Sequence, residues 1–146
     1  MTAITFDPCF VFRTKSIIEE YDWKKEFTLL LNCLVGLIIF IHEKKYQLIG
    51  NSDFLNQKIR SIPEFEFLHE KPFNNRQLST FLKRFRNWIA HINIIANNNS
   101  WKRISIKIWD NHSDSIILTY DQVKTIALYI TNKYLESFSK DELKCN

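Results

Sequence analysis

Glycine and proline, the residues that punctuate turns, are scarce in this chain: two Gly and three Pro among 146 residues. Gly36 and Gly50 stand alone, so there is no Gly-rich loop to cradle a phosphate, and P-loop ATPases and dinucleotide enzymes of the usual kind are excluded. The same scarcity argues against a sandwich or barrel of many short strands. Cysteine is also sparse: Cys9, Cys33 and Cys145 make an odd set with no CxxC pair. That set predicts neither a disulfide framework nor a cysteine-based zinc site, and fits a reducing cytosol. No two of the His residues at 42, 69, 91 and 112 share ligand spacing, so no metal and no cofactor are expected. The longest apolar run, LLLNCLVGLIIFI from Leu29 to Ile41, falls well short of the roughly 20 residues that cross a bilayer. It reads as a core helix, and no membrane association is expected. The opening MTAITFDPCF has neither a basic region nor a continuous apolar stretch, so a cytoplasmic location is expected, with no secretory signal.

One further absence is local. No Asp or Glu occurs between Glu70 and Asp110, a stretch that holds Lys71, Arg76, Lys83, Arg84, Arg86, Lys102, Arg103 and Lys107. The net charge of +4 therefore divides into +8 on this segment and −4 on the remainder, where 12 basic face 16 acidic side chains. A positive field over part of the surface follows, suited to a polyanion, although a solvated polar face carries the same charges.

What is present is apolar and aromatic. A 45% hydrophobic content with 12 Phe and 4 Trp excludes disorder and predicts a ring-rich core. The length suits a single domain over residues 1–146. The periodicity predicts an amphipathic helix from Phe10 to about Tyr21, and a second, capped by Asp22, running to about Lys45. That second helix is apolar on nearly all sides in its middle, which places it centrally. A short third helix is expected over 50–60 and an irregular connection over Pro63 to Pro72. Asn74 or Asn75 caps a long fourth helix reaching about Ile95. Ile104, Ile106 and Ile108 then alternate with polar residues as in a strand, and Ser115 to Thr119 returns as its hairpin partner. A last helix, capped by Asp121, reaches about Phe138, with Val123, Ile126, Ala127, Ile130, Tyr134 and Leu135 facing inward. The expected architecture is all-α: a bundle of four or five helices with one small β-hairpin inserted before the C-terminal helix.

The fourth helix carries the chemistry. Spaced at 100° per residue from Lys83, its apolar residues fill an arc from roughly 120° to 260°, including Leu78, Phe81, Leu82, Phe85, Trp88, Ile89, Ile92 and Ile95. The opposite side holds Arg86, Ala90, Lys83, Asn87, His91 and Arg84. Cutting RNA through its own 2′-hydroxyl needs a proton acceptor, a proton donor and a cation for the developing phosphorane charge. Histidine titrates near neutral pH, Arg supplies a permanent planar fork of donors, and Asn can hold phosphate or orient an imidazole. One helix offers one His, so the acid and the base would most simply come from two copies of the chain.

The stretch RFRNWIAH, with Arg86, Asn87 and His91, resembles the R-x4-H motif of the HEPN superfamily, in which a polar residue characteristically follows the Arg. The segments FVFRT, LLNCLVGLIIF and AHINI, together with the Ile/Trp hairpin and terminal helix, are similar to a plasmid-borne HEPN subgroup. The resemblance implies an all-α, commonly dimeric bundle, and a metal-independent ribonuclease of toxin-antitoxin or other antiviral defence systems. It would make Arg86 and His91 catalytic with Asn87 assisting, RNA the substrate, and an antitoxin protein a candidate partner. Lys83 and Arg84 are candidate phosphate contacts. Asn32 is either a satisfied amide inside the apolar helix or lines the site, as Arg13 would from the first helix. Asn93 stands where toxins modified by a nucleotidyltransferase antitoxin resemble R-x4-H-x-Y, so that mode of neutralisation is not implied. A non-catalytic module binding RNA, a nucleotide or a protein is the alternative, and a purely structural dimer a third.

Overall fold

The computed structural model describes residues 8–20, 27–43, 53–90, 94–97, 105–109, 115–136, 138 and 141. Helix α1 spans Pro8–Glu20, α2 Phe27–Glu43, α3 Leu78–Ala90 and α4 Tyr120–Leu135. Proline opens α1 at a position where its missing N–H costs nothing. Between α2 and α3, three short 3₁₀ turns (Asp53–Asn56, Ile59–Ser61 and Pro63–Leu68) replace the expected third helix and irregular connection. They are too short to be α-helical, yet they bury Phe54, Leu55, Ile59, Phe65 and Leu68.

The hairpin before the last helix is present as strands β2 (Ser105–Trp109) and β3 (Ser115–Thr119), and it gains a neighbour, β1 (Ile94–Asn97), in an antiparallel sheet of order β1-β2-β3. The helix expected to reach Ile95 is therefore shorter. Ile95 belongs instead to β1, opposite Lys107, where β-branched neighbours and cross-strand pairing outweigh the helical period. The strand period decides which side of the sheet goes in. Ile106 and Leu118 face each other across the ladder and are buried, whereas the adjoining pair of Lys107 and Ile117 is exposed. The sheet packs on α3 through β2 and on α4 through β3.

Helix α4 is capped by Thr119 rather than Asp121. Thr119 stays extended at the end of β3, its hydroxyl accepts from the Gln122 N–H at 3.3 Å, and its own N–H donates to the Gln122 carboxamide at 2.9 Å. This capping box leaves Asp121 in the first turn, favourable to the helix dipole. Every residue expected on the inward side of α4 is buried, from Val123 to Leu135. Rings fill the core as expected: Phe65 lies 4.9 Å from Tyr129, and Phe73, Phe81 and Phe85 form a run with centroid spacings of 5.5 and 6.0 Å.

Helix α2 packs against α1, α3 and α4, which makes it central, but it is not enclosed. Leu30, Leu34, Leu37 and Ile38 are fully buried, while Leu29, Asn32 and Ile39 are exposed. Cys9 is disulfide-bonded, which departs from the expectation of no disulfide, whereas Cys33 is free. No helix among the described residues is long and apolar enough to cross a membrane.

Candidate functional site

Helix α3 is fixed at its start by pairing with the chain that precedes it. Lys58 and Gln77 form an antiparallel bridge, the Leu78 N–H donates to the Gln57 carbonyl at 2.8 Å, and the Ile59 N–H donates to Arg76 at 3.0 Å. The Leu78 bond satisfies one of the N–H groups that a helix N-terminus otherwise leaves unpaired. The Asn74 side chain donates to the His69 carbonyl rather than capping α3, and the His69 Nε2 lies 2.9 Å from the Ile62 carbonyl. Gln77 accepts the first helical bond, from Phe81 at 3.2 Å, so the helix begins two to three residues later than Asn74 or Asn75 implies.

Leu78, Phe81, Leu82, Phe85 and Trp88 are buried on one side of α3, and Ile89 is half-buried beside them. On the other side Lys83 and Asn87 are exposed, one helical turn apart. Arg86 is half-buried and engaged by its surroundings. Arg84 is half-buried too, with its guanidinium carbon 5.5 Å from the centre of the Trp88 ring one turn on. That contact gives Arg84 a packing role, and a cation over an indole is worth about 0.5–1 kcal/mol at an exposed site. The helix thus exposes Lys83 and Asn87 and leaves Arg84 and Arg86 half-buried. His91 and Asn93 lie outside the described residues, as do Lys102 and Arg103.

Arg13 is exposed on α1, which packs against α4 and α2. Asn32 is exposed on α2, which packs against α3; it is not the buried, satisfied amide that its apolar surroundings in sequence suggest. An apolar sequence neighbourhood does not bury every residue within it when one side of the helix meets solvent.

Among the described residues, burial holds one thiol and two phenols in their neutral forms. Burial pushes the Cys33 thiol up, away from the thiolate that would react. Burial also pushes the Tyr134 phenol up to about 12, and raises that of Tyr129 with help from the nearby carboxylates of Glu64 and Glu136. Among the described residues no group of three His, Cys, Asp or Glu is placed to hold a metal ion.

Two cations went unrecognised in the sequence. Lys58 and Arg60 precede the acid-free segment, but the bridge to Gln77 and an Arg60 N–H to Asn74 carbonyl bond of 2.9 Å bring both beside Arg76. The signal was a pairing between stretches that no local period announces.

Searches among curated proteins and among solved structures found no match to this chain. The family model described as HEPN pEK499 p136 matches residues 1–141. That family is plasmid-borne, and HEPN membership points to a nuclease or nucleotide-binding role. With the match spanning nearly the whole chain, and with a predominantly helical fold that carries a small sheet before its last helix, the protein belongs to the HEPN pEK499 p136 family.

Proposed function

We propose that the protein is a metal-independent endoribonuclease that acts as a homodimer, with Arg86, Asn87 and His91 of two copies meeting in one cleft. One observation carries this reading: the Arg of the R-x4-H motif shares α3 with exposed Lys83 and Asn87, opposite the side that Phe81, Phe85 and Trp88 bury. The motif sits in a segment of eight cations and no acid.

In this mechanism one His91 imidazole takes the proton of the 2′-hydroxyl, whose oxygen attacks the adjacent phosphorus. The bond to the 5′-oxygen breaks, and the partner subunit's His91 protonates that leaving oxygen. Arg86 neutralises the charge gathering on the non-bridging oxygens, and Asn87 holds the phosphate or orients the imidazole. The products are a 2′,3′-cyclic phosphate and a 5′-hydroxyl. Two copies are needed because each supplies one histidine to a reaction with two proton transfers. Lys83 and Arg84 hold flanking phosphates, and Asn32 and Arg13 line the approach. The setting is a toxin-antitoxin or phage-defence system in the cytoplasm, with an antitoxin protein as a partner.

The test is incubation of purified protein with RNA in excess EDTA. Cleavage should persist in the wild type and fall by at least about 100-fold in Arg86→Ala and in His91→Ala. Equal cleavage by wild type and variants would show the site to be misassigned. If no form cleaves while only the wild type binds RNA, the protein is a non-catalytic binding module, and a strictly monomeric protein would rule out the shared cleft.

A further inference from the structure

We propose that Lys58, Arg60 and Arg76 form a phosphate-binding shelf at the foot of α3, which holds the RNA strand several nucleotides from the bond being cut. This rests on the ribonuclease reading of α3. The three cations come from stretches separated by more than a dozen residues and are brought together by backbone pairing. Lys58 bridges Gln77, Ile59 bonds to Arg76 itself, and Arg60 bonds to Asn74. With the bond from Leu78 to Gln57, this pairing anchors the shelf to the first residue of the helix that bears the motif.

All three side chains are exposed, and none forms an ion pair among the described residues. Arginine offers a planar fork of donors that matches phosphate, and lysine a compact ammonium. Glu64, Glu66 and Glu70 are exposed in the same stretch, but among the described residues none of them forms an ion pair with these three cations. Cations carried on neighbouring backbone positions suit a ligand with regularly repeated negative charge better than a single anion.

The spacing suits a strand that continues to the motif. From Leu78 to Arg86 the helix rises about 12 Å at 1.5 Å per residue. Three or four stacked nucleotides, at about 3.4 Å each, cover that length. Lys83 lies between the two ends on the exposed side. The shelf therefore adds affinity for RNA that extends beyond the cleavage position and little for a fragment that fills the motif alone.

The experiment compares the wild type with a Lys58→Ser, Arg60→Ser, Arg76→Ser variant of the full chain. Binding of a labelled 12-nucleotide single-stranded RNA and of a trinucleotide is followed by fluorescence anisotropy across 50–200 mM salt. The expected result is at least a tenfold loss of 12-mer affinity and a fall of about 2 in the slope of log K against log salt, from about 0.7 per lost phosphate contact. Trinucleotide binding should stay unchanged, and lysine in place of serine at position 60 should restore about 0.7 of the slope. An unchanged 12-mer affinity and slope, with wild-type cleavage intact, would overturn the shelf alone, as would an equal loss on the trinucleotide. A wild type that neither binds nor cleaves RNA would overturn the shelf together with the ribonuclease reading. Thermal unfolding of the variant within a few degrees of the wild type establishes that the loss is not one of folding.

Discussion

Helices α2 and α3 pack against each other and divide their surfaces in opposite ways. On α3 the division is written into the residues: aromatic and aliphatic side chains turn inward, and Lys83 and Asn87 turn out. On α2 nearly every residue is apolar, so nothing in its sequence says which side meets solvent, and Leu29 and Ile39 end up 36% and 37% exposed with Asn32 between them. An amphipathic pattern states an orientation, while a uniform one states only that the helix is wanted inside. The polar side of α3 is for that reason the more informative surface, because its charges are not required by packing.

The comparison implies that burial, not helix hydrophobicity, sets the cost of a substitution. Phe85→Ala on α3 should destabilise the protein by about 3–5 kcal/mol and Leu34→Ala on α2 by about 2–5 kcal/mol, since both side chains are fully enclosed. Leu29→Ala, on the same apolar helix as Leu34, should cost far less. Urea unfolding of the three variants decides it, and a Leu29→Ala cost equal to that of Leu34→Ala would mean that the exposed stripe of α2 is covered in solution.

Gly36 sharpens the same contrast in the other direction. It lies inside α2, and a Cβ built there meets nothing within 4 Å. A glycine in a helix interior costs roughly 0.5–1 kcal/mol relative to alanine through the freedom it retains when unfolded. Gly36→Ala should therefore stabilise by about that amount in chemical unfolding. A loss of stability instead would show that another surface approaches α2 closely at this point, where only hydrogen leaves room.

Much of this was legible beforehand. The inward residues of α4, the β2–β3 hairpin and the polar side of α3 all follow from period and composition, because in each case one side is apolar and the other is not. Three things were not legible. Ile95 fits the apolar helix face as well as a strand, and only the pairing of β1 with β2, opposite Lys107, decides between them. Asp121 and Thr119 are both good caps, and the choice falls to Thr119 because it ends β3 in extended form. Lys58 and Arg60 gain their meaning from the bridge to Gln77, a contact between segments whose sequences carry no mark of each other. At the site, residue types and spacing single out Arg86 and Asn87 as candidates, whereas the contact of Arg84 with Trp88 needed the three-dimensional neighbour.

The smallest expected effect separates the two helices most directly. Asn32→Ala on α2 and Lys83→Ala on α3 remove exposed polar side chains, so each should shift stability by no more than about 0.5 kcal/mol. A loss of about 1–3 kcal/mol for Asn32→Ala would instead restore the buried, hydrogen-bonded amide that the surrounding sequence suggests. Their consequences for RNA should differ in kind. Loss of Lys83 removes one phosphate contact and should lower the slope of log K against log salt by about 0.7. Asn32 carries no charge, so its removal should leave that slope unchanged whatever it does to affinity. Anisotropy titrations of both variants at several salt concentrations measure this, and equal slopes for wild type and Lys83→Ala would remove the electrostatic role assigned to the polar side of α3.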